Sequence, residues 1–422
     1  MEPGNAAWVL ASAALVLFMT PGLALFYGGM DRSRNMLNML MMNFWCLLAV
    51  PIVWVAVGFS LAYNGTGSVI GTFDWAWLKD LGITSVEDGG DGGTVLLAVA
   101  FLGMFAVITP ALISGAVAGR MKFSAWALFV PLWVLLVYVP VSFWIYGGYW
   151  SDGVVTGFLG ERGSLDFAGG TVIHVNAGIA ALAAVLVLGK RKGWPNAGSP
   201  PHSMPLVMLG TGILWFGWFG FNAGSAFAAN GQAIQAFLNT FLAAAAAGIA
   251  WALVERFRDG NFTNLGAASG VVAGLVAITP GAGFVAGMSP IAIGLIAGVA
   301  CCFAVGIKKK AGYDDALDVV GVHFVGGLVG SLLIGFFADP EYFGLEFGEG
   351  IFLGGGAELL GEQALANLVT IVFSFVVTFI IMKALQLTIG IRVPEEEEDS
   401  GLDFAEHGET AYHSLDSAMG RG

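Results

Sequence analysis

Long apolar segments separated by short polar loops occupy most of the sequence, and a polar tail follows the last segment. A helix needs about 20 apolar residues to cross the hydrocarbon core of a bilayer. Eleven segments meet that length, so the pattern predicts an all-α membrane protein with eleven transmembrane helices. They lie near residues 7–29, 42–63, 94–118, 124–145, 168–189, 204–224, 233–254, 264–282, 288–306, 318–337 and 365–387.

Lysine and arginine residues sort the loops between these segments into two alternating sets. One set holds twelve cations, whereas the alternate set holds only Lys79 and Arg162. Loops rich in Lys and Arg stay in the cytoplasm, which predicts the N-terminus outside and the C-terminus inside. The twelve cations are Arg32, Arg34, Arg120, Lys122, Lys190, Arg191, Lys192, Arg256, Arg258, Lys308, Lys309 and Lys310.

Composition supports the same class of protein. Hydrophobic residues make up 57% of the chain and charged residues 11%, whereas a soluble domain carries about 25% charged residues. The 63 glycines suit close helix packing in a bilayer, where small residues let helix backbones approach.

The net charge is −13 without a basic patch, so we expect no nucleic acid as a partner. The N-terminal apolar segment has no basic region before it and is predicted to be a membrane helix rather than a signal peptide.

The segment KGWPNAGSPPHS, residues 192–203, is rich in Pro, Gly and Ser and is typical of a linker. Five predicted spans precede it and five follow before the last span. A unit with an odd number of spans must insert upside down when it is repeated, as inverted repeats do in many transporters. We therefore predict a first repeat at 1–192, a second at 193–337, an outer loop with the last span at 338–387, and a cytoplasmic tail at 388–422.

Two histidines, His174 and His323, lie inside the fifth and tenth apolar segments. Each is followed after two residues by a small pair, Ala177-Gly178 or Gly326-Gly327, so they occupy equivalent positions of the two repeats. The two spans run in opposite directions, and helix rise places both imidazoles near mid-membrane. A single intramembrane His often only bonds a neighbouring helix, but two at equivalent sites favour a shared path.

The chemistry of the imidazole group indicates what such a path could carry. A neutral imidazole offers one donor and one acceptor, which suits a small neutral molecule or a proton relay better than a hard ion.

Asp166 and Asp318 precede the two His segments. For both carboxylates a helix-capping role at a span end is favoured over contact with substrate.

Aromatic residues gather toward the predicted outer ends of three spans. Phe101 and Phe105 are four residues apart and share one helix face. Such rings with a nearby hydroxyl fit a small cation, although an interfacial aromatic belt is the alternative. That alternative explains Trp144 and Trp150 better than the deeper Phe105 and Phe221. The segments GWFGFNAGSA and WIYGGYW contribute Trp218, Phe219, Phe221, Asn222, Ser225, Trp144, Tyr146 and Trp150.

No motif for enzymatic chemistry is present in the sequence. There is no HExxH, no Gly-x-Ser-x-Gly and no acidic residue at zinc-ligand spacing beside either His. The three cysteines, Cys46, Cys301 and Cys302, lie in apolar segments and are expected to be buried thiols. We therefore predict a protein that is not an enzyme and uses no cofactor or metal.

At these residues the chain resembles the Amt/Mep/Rh ammonium transporter family, and specifically its bacterial Amt branch. The resemblance covers nearly the whole chain and is strongest in DFAGGTVIHVNAGIAALAAVLVLGKR, residues 166–191. It is carried also by FYGGMDRSRN, GWFGFNAGSA, DVVGVH and GIRVPEEEEDSGLDFAEHGETAY.

The resemblance implies ammonium and ammonia as substrates, a multi-pass protein of the plasma membrane, and a homotrimer with one pore in each subunit. It implies that His174 and His323 line the pore, that Phe105 and Phe221 form a gate with Phe101 one turn outward, and that Ser225 and Asp166 lie at the outer recruitment site. Where the family has a Trp in its cation site, this sequence has Tyr146, which offers a weaker π face.

The implied activity is ammonium uptake: ammonium is recruited outside, loses its proton near the Phe gate, and ammonia passes the twin His. The tail of the family is where a PII-type signal protein docks, which makes such a protein a predicted partner. The alternative from another class is an ammonium sensor that signals through the C-terminal tail.

Overall fold

The computed structural model describes residues 2–82, 92–196 and 200–412. Within them, eleven helices are long and apolar enough to span a bilayer, which confirms the predicted all-α architecture. Part of the predicted linker (197–199) and the end of the predicted tail (413–422) lie outside the described residues. The spans are α1 Pro3–Met30, α2 Ser33–Tyr63, α3 Gly93–Val117, α4 Phe123–Tyr146, α5 Gly170–Leu188, α6 Met204–Gly224, α7 Gly231–Asp259, α8 Asn264–Gly281, α9 Ser289–Ala311, α10 Val320–Phe337 and α11 Glu358–Thr388.

Several spans extend beyond the apolar segments that predict them. The last span begins at Glu358 rather than near 365, because the helix continues past its apolar part into a polar first turn. Glu358 in that turn faces the positive end of the helix dipole. Likewise α7 continues to Asp259, with Arg256 and Arg258 in its last turn and Gly260 in the left-handed region (φ 85°) as its cap.

Prolines inside two spans coincide with changes of helix type. Pro51 in α2 is followed by a π-helical turn at Trp54–Gly58, and Pro131 in α4 by one at Val134–Tyr138. A proline cannot donate to the carbonyl one turn before it and its ring crowds that carbonyl. A single π-helical turn accommodates the mismatch without ending the helix.

The two spans that carry the histidines begin alike. Both α5 and α10 open with a π-helical turn, Gly170–Val175 and Val320–Phe324, and the histidine lies within that turn. Such turns are frequent at functional sites. The likeness agrees with an inverted repeat, whose boundaries stay a prediction.

The basic loops meet at one end of the bundle, which we call the basic end. There Arg191 pairs with Asp314 at 2.7 Å and Lys308 pairs with Asp318 at 2.7 Å. The tail also lies there as two short helices, α12 Glu395–Ser400 and α13 Leu402–His407. At the opposite end Arg162 pairs with Glu362 at 2.7 Å. Which end faces the cytoplasm stays a prediction from the charge pattern.

Short elements join the spans. Two isolated antiparallel bridges, Met121 with Arg392 and Val285 with Ala338, are the extended pairings among the residues that the structure describes. The first of them attaches the tail to the loop between α3 and α4. Single helical turns occur between spans at Ala76–Leu78, Tyr149–Asp152, Pro340–Phe343 and Ile351–Leu353, while the turns Ser33–Asn35 and Thr279–Gly281 open α2 and close α8.

Candidate functional site

The two intramembrane histidines meet in the centre of the bundle. The Nδ1 atoms of His174 and His323 are 3.2 Å apart and the two rings are nearly coplanar, at 16°. Both side chains are buried, at 1% and 3% exposure. Because one Nδ1 must donate and the other accept, the pair shares a single proton between these atoms. The predicted approach of the two imidazoles is thus present in the structure.

Small residues allow this approach of α5 and α10. A Cβ on Gly178 would collide with the backbone of Phe324, and a Cβ on Gly327 would lie 2.9 Å from the carbonyl oxygen of Gly170 and 3.0 Å from the Cβ of His174. Close backbone contact between membrane helices needs such residues. The small pairs noted in the sequence therefore bring the two histidines within hydrogen-bonding distance.

The space beside the histidine pair is narrow and almost entirely apolar. Its volume is about 10 Å³, enough for one molecule the size of water. The ring of His174 lines this space, and its buried Nε2 atom has no hydrogen-bond partner among the described residues. The lining residues are Met19, Leu23, Ile108, Leu112, His174, Leu214, Trp218, Phe221, Val272 and His323.

Two phenylalanines cover the histidine pair on the side away from the basic end. The rings of Phe105 and Phe221 lie 4.3 Å apart between centroids, tilted by 34°, and both side chains are buried. Phe221 is 6.1 Å from the His174 ring. Phe101 meets Phe105 edge to face at 4.8 Å. The structure thus brings together the three phenylalanines that the resemblance implies as a gate.

A larger cavity of about 320 Å³ lies beyond the phenylalanines. Phe105, Tyr146, Asp166 and Ser225 all line it. The Ser225 hydroxyl donates to the carbonyl of Phe221 at 2.9 Å, and its lone pairs remain available. The residues predicted to recruit ammonium therefore line the same cavity. The remaining lining residues are Tyr63, Leu102, Tyr138, Tyr149, Trp150, Val155, Phe167, Ala168, Gly169, Val172, Ile173, Ala226, Phe227, Gln232 and Phe284.

The cavity contains aromatic residues that the sequence does not indicate, Tyr63 and Phe227, and one that it indicates in another role, Trp150. Trp150 lines it and meets Phe227 edge to face at 4.7 Å, whereas the sequence favours an interfacial belt for Trp150. Tyr63 stacks on Tyr146 at 6.5 Å. Phe227 lies two residues after Ser225, which is a signal that could have indicated it. Trp144 lies elsewhere, with its Nε1 donating to the carbonyl of Val69 at 2.9 Å.

Asp166 is a buried helix cap, as the sequence favours. Its two oxygens accept backbone N–H groups at 2.6–3.1 Å, and its exposure is 6%. Burial raises the pKa of Asp166 above its ordinary value, while the four backbone donors act in the opposite direction. Its carboxylate orders the start of α5 and also lines the cavity beside Tyr146. The four donors are Gly169, Gly170, Thr171 and Val172.

Asp318 does not cap α10, and that prediction is wrong. Its backbone is in the left-handed region (φ 65°) and its carboxylate pairs with Lys308 at 2.7 Å. The cap is Asp315, whose Oδ2 accepts the N–H of Val320 at 2.7 Å. Asp315 is buried and lies five residues before Val320, because the chain loops inward before the span begins.

The tail packs against loops of the basic end through buried polar contacts. Glu398 accepts from the backbone N–H of Lys192 and from Arg392, both at 2.7 Å. The guanidinium of Arg392 also reaches the carbonyl of Leu188, the last residue of α5, at 3.4 Å. Only Glu398 of the acidic run is buried. The tail therefore contacts the helix that carries His174.

Comparisons with known proteins agree with this geometry. A sequence model described as Ammonium Transporter Family matches residues 7–412. The chain is 48% identical over 440 residues to an ammonium transporter of Mycobacterium tuberculosis, covering 97% of this chain and 90% of that protein. It is 46% identical over 416 residues to the ammonium transporter of Bacillus subtilis, covering 98% and 99%.

Solved structures show the same fold. Candida albicans Mep2 aligns with a TM-score of 0.85 at 34% identity, covering 98% of this chain and 91% of that one. A structure named Sensor Amt Protein aligns with a TM-score of 0.88 at 31% identity, covering 96% and 98%. The chain is a multi-pass protein of the plasma membrane and a transporter rather than an enzyme. On these matches over nearly its full length, the chain belongs to the Ammonium Transporter Family.

Proposed function

We propose that this chain takes up ammonium by recruiting the cation in the 320 Å³ cavity and passing ammonia along the histidine pair. The observation that carries the proposal is the 3.2 Å contact between His174 and His323 directly beneath the Phe105–Phe221 pair. It joins an aromatic cavity suited to a cation with a narrow apolar passage suited to a neutral molecule. The residues of this site are part of the proposal.

Recruitment in the cavity uses aromatic faces and one hydroxyl. Phe105 and Tyr146 present rings and Ser225 presents lone pairs to the same space. Cation–π contact contributes about 0.5–2 kcal/mol, and the Ser225 hydroxyl accepts a hydrogen bond from the cation. Asp166 serves here as the cap of α5 and adds negative charge at the cavity wall.

The ammonium gives up its proton near the gate, either to water on the outer side or to the histidine pair. A bare cation in the apolar passage would forfeit its hydration without oxygen ligands to replace it, which is prohibitively costly. The passage is lined by aliphatic and aromatic side chains apart from the two histidines. Loss of the proton converts the cation into a neutral molecule that a neutral imidazole can bond.

Ammonia then crosses along the histidine pair. The free Nε2 of His174 is the polar atom that a molecule meets below Phe221. The shared proton between the Nδ1 atoms fixes opposite tautomers on the two rings. Consequently one Nε2 accepts while the other donates, which gives a neutral ammonia molecule complementary partners in sequence.

Uptake of methylammonium in cells lacking other ammonium transporters tests the path. His174→Ala and His323→Ala are each expected to reduce the initial rate at least about ten-fold, since each leaves the other imidazole unpaired. Detergent-solubilised protein of each variant is checked for correct folding by size-exclusion chromatography. If both folded variants transport at the normal rate, the assignment of the pore is wrong.

Current in proteoliposomes of purified protein distinguishes two fates of the proton. Passage of ammonia alone moves no charge and gives no ammonium-evoked current. Proton transfer through the histidine pair gives a saturable current that His174→Ala and His323→Ala abolish. The second result would show that the pair relays protons as well as lining the passage.

A sensor role is a second candidate function. The structure named Sensor Amt Protein has the same fold, and in this chain the tail touches the end of the helix that carries His174 through Arg392 and Leu188. Deletion of residues 395–422 tests the role. Normal uptake together with a lost cellular response to ammonium supports it, and unchanged uptake and response exclude it.

Two partners complete the proposal. We propose a homotrimer, which native mass spectrometry of the solubilised protein tests directly. We also propose that a PII-type signal protein docks at the basic end, where the tail packs. Co-purification with such a protein, and its loss on deletion of the tail, is the expected result. A monomer would contradict the proposed homotrimer. Failure of both the full chain and the tail deletion to retain the signal protein would contradict the proposed docking.

A further inference from the structure

We infer that Trp218, held by Thr279, is a positioning residue that fixes the ring of His174 in the passage. The inference rests on the proposed function of the histidine pair. The indole of Trp218 lies parallel to the His174 imidazole, with centroids 5.4 Å apart and an angle of 16°. Both side chains are buried, at 2% and 1% exposure. The Trp218 ring therefore packs parallel to the imidazole in the buried interior.

A hydrogen bond fixes the indole in turn. Trp218 Nε1 donates to the hydroxyl oxygen of Thr279 at 2.8 Å, and that hydroxyl donates to the carbonyl of Leu275 at 2.7 Å. Because the hydroxyl proton is engaged with Leu275, a lone pair of Thr279 points to the indole. The contact is directional and fully buried, since Thr279 has 0% exposure.

The turn Thr279–Gly281 at the end of α8 also holds the start of α5. The carbonyl of Pro280 accepts the backbone N–H of Phe167 at 2.9 Å. Gly170 packs directly on Pro280, where a Cβ would collide with the proline ring. One turn thus sets the position of the helix that carries His174 and of the indole that packs against its ring.

The consequence concerns rotation of the imidazole about its Cβ–Cγ bond. In the observed orientation Nδ1 contacts His323, and Nε2 is buried without a hydrogen-bond partner among the described residues. A half-turn would break the Nδ1 contact and put a carbon atom in the place of Nε2. Trp218 packed against the ring hinders that rotation, so the loss of its anchor is expected to slow conduction without weakening recruitment above the gate.

The test measures methylammonium uptake against concentration for Thr279→Val, Thr279→Ser, Trp218→Phe and the double variant Thr279→Val with Trp218→Phe. Thr279→Val keeps the shape but removes the acceptor. We expect its maximal rate to fall about ten-fold at an unchanged half-saturation concentration. Thr279→Ser retains the hydroxyl and is expected to restore the rate to within about two-fold. Trp218→Phe is expected to match Thr279→Val.

The double variant identifies the shared bond. If the two residues act through one contact, its rate equals that of the single variants, whereas independent defects would multiply to about 100-fold. The control is Trp215→Phe on the same helix, because Trp215 Nε1 has no hydrogen-bond partner among the described residues and its ring packs on Phe241. This control is expected to transport normally.

The outcomes separate this inference from the proposed function, with His174→Ala measured alongside. Impaired His174→Ala with normal Thr279→Val and Trp218→Phe overturns the inference alone. Losses that multiply in the double variant also overturn the inference. A half-saturation concentration that changes in proportion to the maximal rate does so too. Normal uptake by His174→Ala overturns the proposed function. If Thr279→Val does not reach the membrane, Trp218→Phe is compared with Trp215→Phe, and equal rates overturn the inference.

Discussion

Asp315 caps the start of α10 as Asp166 caps the start of α5, so the two carboxylates are structural counterparts at the spans that carry the pore histidines. Each accepts backbone N–H groups at the π-helical turn of its span: Asp166 from four residues and Asp315 from Val320. Both are buried. The position of each histidine therefore depends on a carboxylate outside the histidine segment.

Asp166→Asn is expected to destabilise the protein and abolish uptake together. An amide offers one acceptor atom and turns two N–H donors toward backbone donors, so charge-assisted bonds to the start of α5 are lost. Breaking them is expected to cost roughly 2–4 kcal/mol. Thermal unfolding of the solubilised protein checks the stability and methylammonium uptake checks the function. Asp166→Asn with normal stability but no uptake would instead indicate direct contact with substrate.

Phe221 and Phe219 offer a matched pair for the gate. Phe221 contacts Phe105 at 4.3 Å, whereas Phe219 on the opposite face of α6 stacks on Phe237 at 4.0 Å. Phe221→Ala opens the passage. We therefore expect altered uptake and a leak of other small cations such as potassium. Phe219→Ala removes equal volume away from the passage and is expected to conduct normally. Equal selectivity in both variants would argue against a gate at Phe221.

Tyr146 determines how strongly the outer cavity binds the cation. Its ring lines the cavity and stacks on Tyr63 at 6.5 Å. Because an indole is the stronger π donor, Tyr146→Trp is expected to lower the half-saturation concentration about two- to five-fold, and Tyr146→Leu to raise it similarly. The maximal rate should change little, since Tyr146 lies above the gate. Concentration-dependent uptake measures both, and a change confined to the maximal rate would contradict this role.

The fold could be predicted from the sequence because lipid imposes one dominant pattern. Apolar segments of sufficient length predict the spans. The two histidines can be recognised because ionisable residues are rare within spans. Contacts between distant segments leave no such signal. The parallel packing of Trp218 on His174 depends on how α5 and α6 pack together. The place of Trp150 and Phe227 in the outer cavity depends on how the segments after α4 and α6 fold over the spans.

Local chain geometry explains the error at Asp318. Both Asp315 and Asp318 precede α10, and sequence spacing favours the nearer residue as the cap. The left-handed backbone of Asp318 (φ 65°) turns its side chain toward Lys308, which leaves Asp315 to reach Val320. A positive φ at a non-glycine residue has no sequence signature strong enough to predict this.

Glu398 is expected to hold the tail, in contrast to its exposed neighbour Glu396. Glu398 is buried and accepts from Lys192 and Arg392 at 2.7 Å. Glu398→Gln weakens both charge-assisted bonds, so the tail is expected to detach more often and be cleaved faster by trypsin in native membranes. Glu396→Gln removes the same charge from the surface and should leave cleavage unchanged. Equal cleavage of the two variants would show that the buried contact does not anchor the tail.

Asp315 is expected to make stability fall as the pH rises through its titration. The pKa of Asp315 is raised from 3.8 to about 6, because burial and the charge of Asp318 raise it more than Lys308 and the N–H of Val320 lower it. Between these two values the folded state holds a proton that the unfolded chain has released. The stabilisation is therefore full below pH 3.8 and is lost as the pH rises through about 6.

Thermal unfolding of the solubilised protein between about pH 4 and 7 measures this effect as the difference between wild type and Asp315→Asn. Because Asn does not titrate, wild type should gain stability relative to the variant as the pH falls through that range. Asp399→Asn is the control for the sign: its pair with Lys192 lowers the pKa of Asp399, so that carboxylate stabilises the fold at higher pH and less as the pH falls. A pH-independent difference for Asp315→Asn would mean that Lys308 and the backbone donors fully compensate the burial of the carboxylate.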